Sequence, residues 1–253
     1  MRHTLSTLPT VGVKDYLAHS RASRYSLLFA LPLLLLYEGL SFALTGSAVE
    51  GVRNGADVLL KSLFLALGGR HGLTAFNVVL FATGAVLVWR DRRSSRGPLE
   101  RRVFALMFLE SAAYAALFGA VVGGLTALLL DAPRLLQIGG GALDLPTQLV
   151  ISLGAGIYEE LLFRVLLTGG LLWGLRVALG MGRVGAAVGA VLVSALIFSA
   201  FHYVGAYGDR FTAASFTFRA IAGVAFSVLY VTRGLGITAW THAMYDVLVT
   251  MLH

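Results

Sequence analysis

The sequence predicts an all-α transmembrane helix bundle, with about seven spans plus an interfacial helix, forming a single membrane domain over residues 1–253. Three observations carry that expectation. Of 253 residues, 57% are hydrophobic and 13% charged, where soluble domains carry about a quarter charged, and the mean hydropathy is +0.80. The apolar residues are gathered into runs long enough to cross about 30 Å of hydrocarbon. The basic excess, 20 Lys+Arg for a net charge of +7, is also uneven, with Arg90, Arg92, Arg93, Arg96, Arg101 and Arg102 crowding one short loop. That is the pattern of a cytoplasmic connection under the positive-inside rule. A nucleic-acid surface would also be basic, but this loop is flanked by apolar spans and lacks interleaved aromatics, so no nucleic-acid partner is expected. The chain has no cysteine, which removes disulfides, thiolate metal ligands and a cysteine nucleophile.

The polar, basic residues 1–24 (Arg2, Lys14, Arg21, Arg24) precede a first apolar run, Tyr25 to Leu44, containing Pro32 and Glu38. The long charged region and the further spans favour a retained first helix with a cytoplasmic N-terminus over a signal peptide. Residues 49–71 set Glu50, Arg53, Asp57, Lys61 and Arg70 around VLLKSLFLAL. This run is too short and too charged to span, and reads as an interfacial helix or part of a lid. Gly72 to Trp89 is the second span, its tryptophan at an interface. Val103 to Leu130 is the third, with Glu110 inside it and the spacing Gly119…Gly123 suited to close packing. A Gly- and Pro-punctuated connection follows at 131–146.

Gln148 to Trp173 is the fourth span, ending near Arg176 and Arg183 and carrying Gly170…Gly174 as a second packing pair. Val184 to Tyr203 is the fifth, opening with Gly185…Gly189. Phe211 to Val231 is the sixth, with Arg219 inside it, and Gly236 to Leu252 is the seventh. Glu38 and Glu110 are expected to pair with Arg219 or to face other helices, and Arg219 to help close a cavity from the sixth span.

The fourth span contains the most costly residues of the chain, in GAGIYEELLFR at 154–164. An ionisable side chain at bilayer depth costs about 2.5–3.5 kcal/mol on insertion scales, so Glu159 and Glu160 need a partner, a proton or water. On a helix, Glu160 and Arg164 are four apart and can pair on one face. Glu159 lies about 100° round from Glu160 and is left for other work. The fifth span has Phe198 and His202 four apart, and the seventh has His242 and Asp246 four apart. Carboxylate with imidazole is the usual equipment for activating water. Peptide hydrolysis needs a group that takes a proton from water, one that holds the attacking oxygen, and donors for the oxygen that becomes anionic. Glu159 is the natural base, and His202 can position or share the water. His242 can donate to the oxyanion, with Asp246 fixing its tautomer or giving a hydrogen bond itself when protonated.

EELLFR at 159–164 resembles the EExxxR motif of the CPBP family, the type II CAAX prenyl endopeptidases and their bacterial relatives, also called the ABI family. FSAFH at 198–202 is similar to that family's FxxxH, and HAMYD at 242–246 to its HxxxN/D. The three occur in the family's order, each on its own predicted helix, over a catalytic core of about 148–252. The resemblance implies an intramembrane endopeptidase in which Glu159 activates water, His202 assists, His242 and Asp246 line the oxyanion site, and Glu160 and Arg164 support them. Eukaryotic prenyl proteases have Asn where this chain has Asp246. The expected partners are membrane lipid and a peptide or membrane-protein substrate, prenylated or not, in a bacterial cytoplasmic membrane.

Other chemistries compete. Zinc is the nearest, since His202, His242 and a carboxylate are acceptable ligands, but no HExxH is present; the expectation is no cofactor, with zinc the open alternative. An aspartyl intramembrane protease needs two facing aspartates, and GAYGD at 205–209 lacks the GxGD spacing. A serine nucleophile elbow, GxSxG, does not occur. A proton-coupled transporter also puts Glu, His and Arg at bilayer depth, yet shows inverted repeats more often. A silent binding or immunity scaffold is the third class. Counted along the spans, His202 sits some 8 residues, about 12 Å, nearer one membrane face than Glu159 and His242. The arginine loop puts that face outside the cytoplasm, whereas the family resemblance implies cytoplasmic access. A water-filled cavity shared by all three constellations is the expected meeting place.

Overall fold

The apolar runs form helices at or within a few residues of the places expected of them, and the helices extend a turn beyond several. The computed structural model describes residues 12–45, 53–94, 97–130, 143–205 and 208–252, and among them there is no β-strand. In chain order the helices are α1 (Val13–Arg21), α2 (Ser23–Thr45), α3 (Gly55–Gly68), α4 (Gly72–Ser94), α5 (Arg101–Leu130) and α6 (Leu145–Gly154). A π-helix (Ala155–Thr168) continues α6 into α7 (Gly169–Val177), and α8 (Arg183–Phe201), α9 (Ala213–Arg233) and α10 (Leu235–Leu252) complete the set. Residues 1–11, Glu50, Arg96 and most of the connection after α5 lie outside the described residues.

Five stretches are long and apolar enough to cross a bilayer: α2, α3 with α4, α5, α8 and α9. This is an integral membrane protein. The remaining two expected spans, the path through the π-helix and α10, run inside the others. Helix α10 packs on α2, α5, α6, α9 and the π-helix, so its His242 is held from several sides. Helix α3 is the short segment expected at the interface, and its 14 residues reach about 21 Å, less than a bilayer core. The chain reverses after it at Gly69, whose φ of +53° suits glycine, and Phe64 meets Phe76 across the hairpin at 5.3 Å.

The ionic face of α3 turns onto α2. Arg53 Nη1 lies 2.8 Å from Glu38 and 2.9 Å from Asp57, and Lys61 Nζ lies 2.8 Å from Glu38 and 2.7 Å from Asp57. Tyr158 of the π-helix donates to Glu38 at 2.5 Å. Glu110 instead pairs with Arg233 at 2.6 Å and accepts from Tyr16. Both glutamates face other helices, one of the two arrangements expected of them, and neither pairs with Arg219, because closer cations reach both of them. Arg219 bonds Asp209 and the Tyr203 and Ser215 hydroxyls beside its own end of the bundle. Gly170 and Gly174 are not a packing pair either, since a Cβ on either meets nothing within 4 Å.

The helix ends sort into two groups. Arg24 at the start of α2 reaches Asp91 of α4 at 3.5 Å and the Gly97 carbonyl at 3.0 Å, while Tyr25 accepts from the Glu100 backbone N–H at 2.9 Å. Arg233 donates to Ser20, and the Gly236 N–H to Ser26. The starts of α2, α5 and α10 and the ends of α4 and α9 therefore share one end, rich in arginine. Ser152 and Thr250 meet at 3.3 Å towards the other.

Candidate active site

The π-helix places the charged residues. Its wider turn is visible at its C-terminal end, where the Gly169 N–H bonds the Arg164 carbonyl five residues back. Such a turn leaves carbonyls off the α-helical ladder, and within lipid they need other partners. Two hydroxyls supply them: Ser194 of α8 donates to the Phe163 carbonyl at 2.9 Å, and Thr168 of the π-helix, 2.7 Å from the same oxygen and 2.8 Å from Ser194 Oγ, gives its one proton to either. Glu160 and Arg164, both fully buried, meet as expected from their spacing, with Nε 3.2 Å from Oε2. The guanidinium lies over the Phe198 ring at 4.5 Å and near Phe226 at 5.6 Å. Its charge is thus held by one carboxylate and two aromatic faces.

Helix α10 can approach this segment because Gly156 has no side chain. A Cβ there would lie 2.5 Å from the Ala243 Cβ and 2.6 Å from the Ala239 carbonyl. The close approach brings His242 onto the carboxylates. Its Nδ1 is 2.7 Å from Glu160 Oε1, and since a carboxylate accepts, Nδ1 carries the proton. Nε2 then faces Asp246 Oδ2 at 3.5 Å and Glu159 Oε2 at 4.0 Å. The tautomer-fixing role expected of Asp246 is therefore occupied by Glu160. Asp246, one turn along α10, can reach only the other nitrogen. Phe226 of α9 stacks on the His242 ring at 4.3 Å and 22° and fixes its plane.

His202 ends α8 as its C-cap residue. Its ring folds back along the helix, with Nδ1 2.9 Å from the Phe198 carbonyl. A carbonyl only accepts, so Nδ1 is again the protonated nitrogen and Nε2 the free acceptor. The Phe198 ring lies 4.9 Å from that of His202 and 6.4 Å from that of His242. This backward fold carries the ring towards Phe198, back along α8 from its end.

The structure thus gathers Glu159, Glu160, Arg164, His242 and Asp246 through direct contacts, and brings His202 alongside them across Phe198. They meet in a packed interior, not in a wide cavity. Glu159 is 7% exposed and His242 5%, because Phe163, Phe198 and Phe226 fill the space between helices. Asp246, with 29% of its side chain exposed, and half-buried His202 form the open side. Arg219, Asp209 and Tyr203 tie the α8–α9 connection over it, and the Asp209 N–H bonds the His202 carbonyl at 2.8 Å. Among the described residues no three His, Asp or Glu side chains are grouped to hold a metal ion.

One neighbour of the site was not expected from sequence. Asn54 donates from Nδ2 to Glu159 Oε1 at 2.9 Å. The only sequence signal is its position: a helix-capping residue type directly before the α3 run.

Residues 141–248 match the family model described as Type II CAAX prenyl endopeptidase Rce1-like. No curated protein and no solved structure matches the chain. The matched segment contains all three polar constellations and ends within α10; α1 to α5, with Asn54, lie outside it.

Proposed function

We propose, for a chain that belongs through residues 141–248 to the Rce1-like family of type II CAAX prenyl endopeptidases, that Glu159 and two histidines hydrolyse a peptide bond within the membrane. The family is one of proteases, and the coarse reading is a CAAX-protease-like intramembrane endopeptidase. The observation that carries the finer reading is the geometry of one imidazole. His242 Nδ1 is committed to Glu160 at 2.7 Å while its Nε2 faces Glu159 Oε2 at 4.0 Å, so carboxylate and donor look onto the same spot.

In this mechanism Glu159 takes a proton from water and the resulting hydroxide attacks the scissile carbonyl carbon. His202 Nε2, the free acceptor, takes the water's second hydrogen in a hydrogen bond and orients it. The carbonyl oxygen becomes anionic and accepts from His242 Nε2–H, the imidazole carrying protons on both nitrogens in this step among the Glu159, Glu160 and Asp246 carboxylates. Glu159 returns its proton to the amide nitrogen, the C–N bond breaks, and amine and carboxylic acid leave. Positioned proton transfer contributes about 10²–10⁴-fold, and one oxyanion donor about 10²–10³-fold. Glu160 and Arg164 act by holding His242.

The substrate is a peptide or membrane-protein segment, and a prenylated C-terminal tail is the first to try. The arginine-rich end belongs in the cytoplasm of a bacterial-type cytoplasmic membrane, together with the N-terminus. The open side at Asp246 and His202 then faces the other half of the bilayer. The experiment is cleavage of a farnesylated peptide ending in a CAAX sequence by purified protein in proteoliposomes. Cleavage lost in Glu159→Ala supports the reading; proton flux without cleavage would make the protein a transporter, and neither would make it a scaffold.

A further inference from the structure

We propose that Asn54 is a positioning residue for Glu159, making α3 part of the reaction machinery although it lies outside the family-matched segment. The inference rests on the reading of Glu159 as the base. Asn54 is the N-cap of α3, and its Oδ1 accepts from the Ala56 N–H at 2.9 Å. That bond settles which way the amide points: with the oxygen committed to the helix, only the NH₂ end can face Glu159. A donor at 2.9 Å from Oε1 holds one carboxylate oxygen and turns the other, Oε2, towards His242. Without it, Glu159 rotates freely about its last torsion, which is broad for a carboxylate.

The residue that carries the amide is fixed through its backbone. The Asn54 backbone N–H donates to the Tyr37 hydroxyl at 3.1 Å, and that hydroxyl donates to Asp57 at 2.8 Å. Asp57 lies between Arg53 and Lys61, which both also bind Glu38. Gly154 provides the room: a Cβ there would lie 2.8 Å from the Asn54 Cβ and 2.5 Å from the Tyr37 ring. Asn54 is 4% exposed, so its contact with Glu159 is shielded from competing water. Such a shell, in which each orienting group is oriented by another, is how a reacting side chain is kept within a fraction of an ångström of its working position.

Asn54→Ser and Asn54→Asp separate this role from helix capping, since both residues cap as well as Asn while neither offers Glu159 the amide donor. In proteoliposomes with the farnesylated peptide, kcat is expected to fall at least tenfold in both variants at wild-type KM, with thermal stability kept in Asn54→Ser and lowered in Asn54→Asp, whose carboxylate would be buried against that of Glu159. A fall in kcat in Asn54→Ser matched by loss of folded protein, or an unchanged kcat in both variants, overturns the proposal. Glu159→Gln runs alongside: if it is inactive while the Asn54 variants are not, only the Asn54 role fails; if it cleaves normally, the reading of Glu159 fails and this role with it. Infrared difference spectra read the contact without turnover. Wild type minus Glu159→Gln isolates the Glu159 carboxyl bands, which are expected to shift in Asn54→Ser; bands that stay in place contradict the contact.

Discussion

Gly156→Ala perturbs the site without touching a single functional group. The added Cβ would stand 2.5 Å from the Ala243 Cβ and 2.6 Å from the Ala239 carbonyl oxygen, where carbon contacts settle at about 3.5–4.0 Å. Helix α10 must therefore retreat from the π-helix by about 1 Å. His242 adjoins Ala243, so the same movement stretches its 2.7 Å bond to Glu160 to about 3.7 Å, beyond hydrogen-bond reach. A misplacement of this size costs about 10²-fold in rate, and overpacking costs about 1–3 kcal/mol in stability. Peptide cleavage in proteoliposomes measures the first, and thermal unfolding the second. Gly170→Ala is the control, because nothing lies within 4 Å of its added Cβ. Gly156→Ala with a kcat within threefold of wild type would refute the argument that the glycine sets the distance between base and donor.

Three further expectations concern charge and sidedness. Asp246→Asn keeps a polar group 3.5 Å from His242 Nε2 that donates without needing a proton, so kcat is expected to hold within about tenfold and to fall further in Asp246→Ala; equal losses would contradict a donor role. Arg164→Ala leaves buried Glu160 with His242 as its remaining partner and should cost about 3–5 kcal/mol in unfolding free energy, with Arg164→Lys intermediate because it cannot spread over Phe198; an unfolding free energy unchanged in both variants would show the pair to be unimportant. Because the chain has no cysteine, single cysteines report topology: an impermeant maleimide should label exposed Val204→Cys in intact cells and Arg92→Cys only after lysis, and the reverse pattern would invert the membrane orientation.

The bundle was legible because lipid demands long apolar runs, and these runs became helices α2, α4, α5, α8, α9 and α10 near their expected ends. The i,i+4 spacing of Glu160 and Arg164 led to a real contact. What local spacing hid was everything decided between helices. Periodicity assumed an α-helix around Glu159, and the π-helix depends on Ser194 of another helix to satisfy its carbonyls. Asp246 is four residues from His242 and was expected to hold its tautomer, yet Glu160, 82 positions away, reaches Nδ1 first. The glycines that matter, Gly154 and Gly156, are recognised by what lies opposite them, whereas the GxxxG spacing at Gly170 and Gly174 faces nothing. Asn54 carried a capping signal but no hint of a partner 105 residues away.

The most direct measurement is a single turnover of the farnesylated peptide in ¹⁸O-labelled water, with the label located by mass spectrometry in the new carboxyl terminus and in the peptide bearing Glu159. Water activated by Glu159 predicts one ¹⁸O in the product, none in Glu159, and no product from Glu159→Gln. Label found in Glu159 after one turnover, or labelled product from Glu159→Gln at the wild-type rate, would contradict the account.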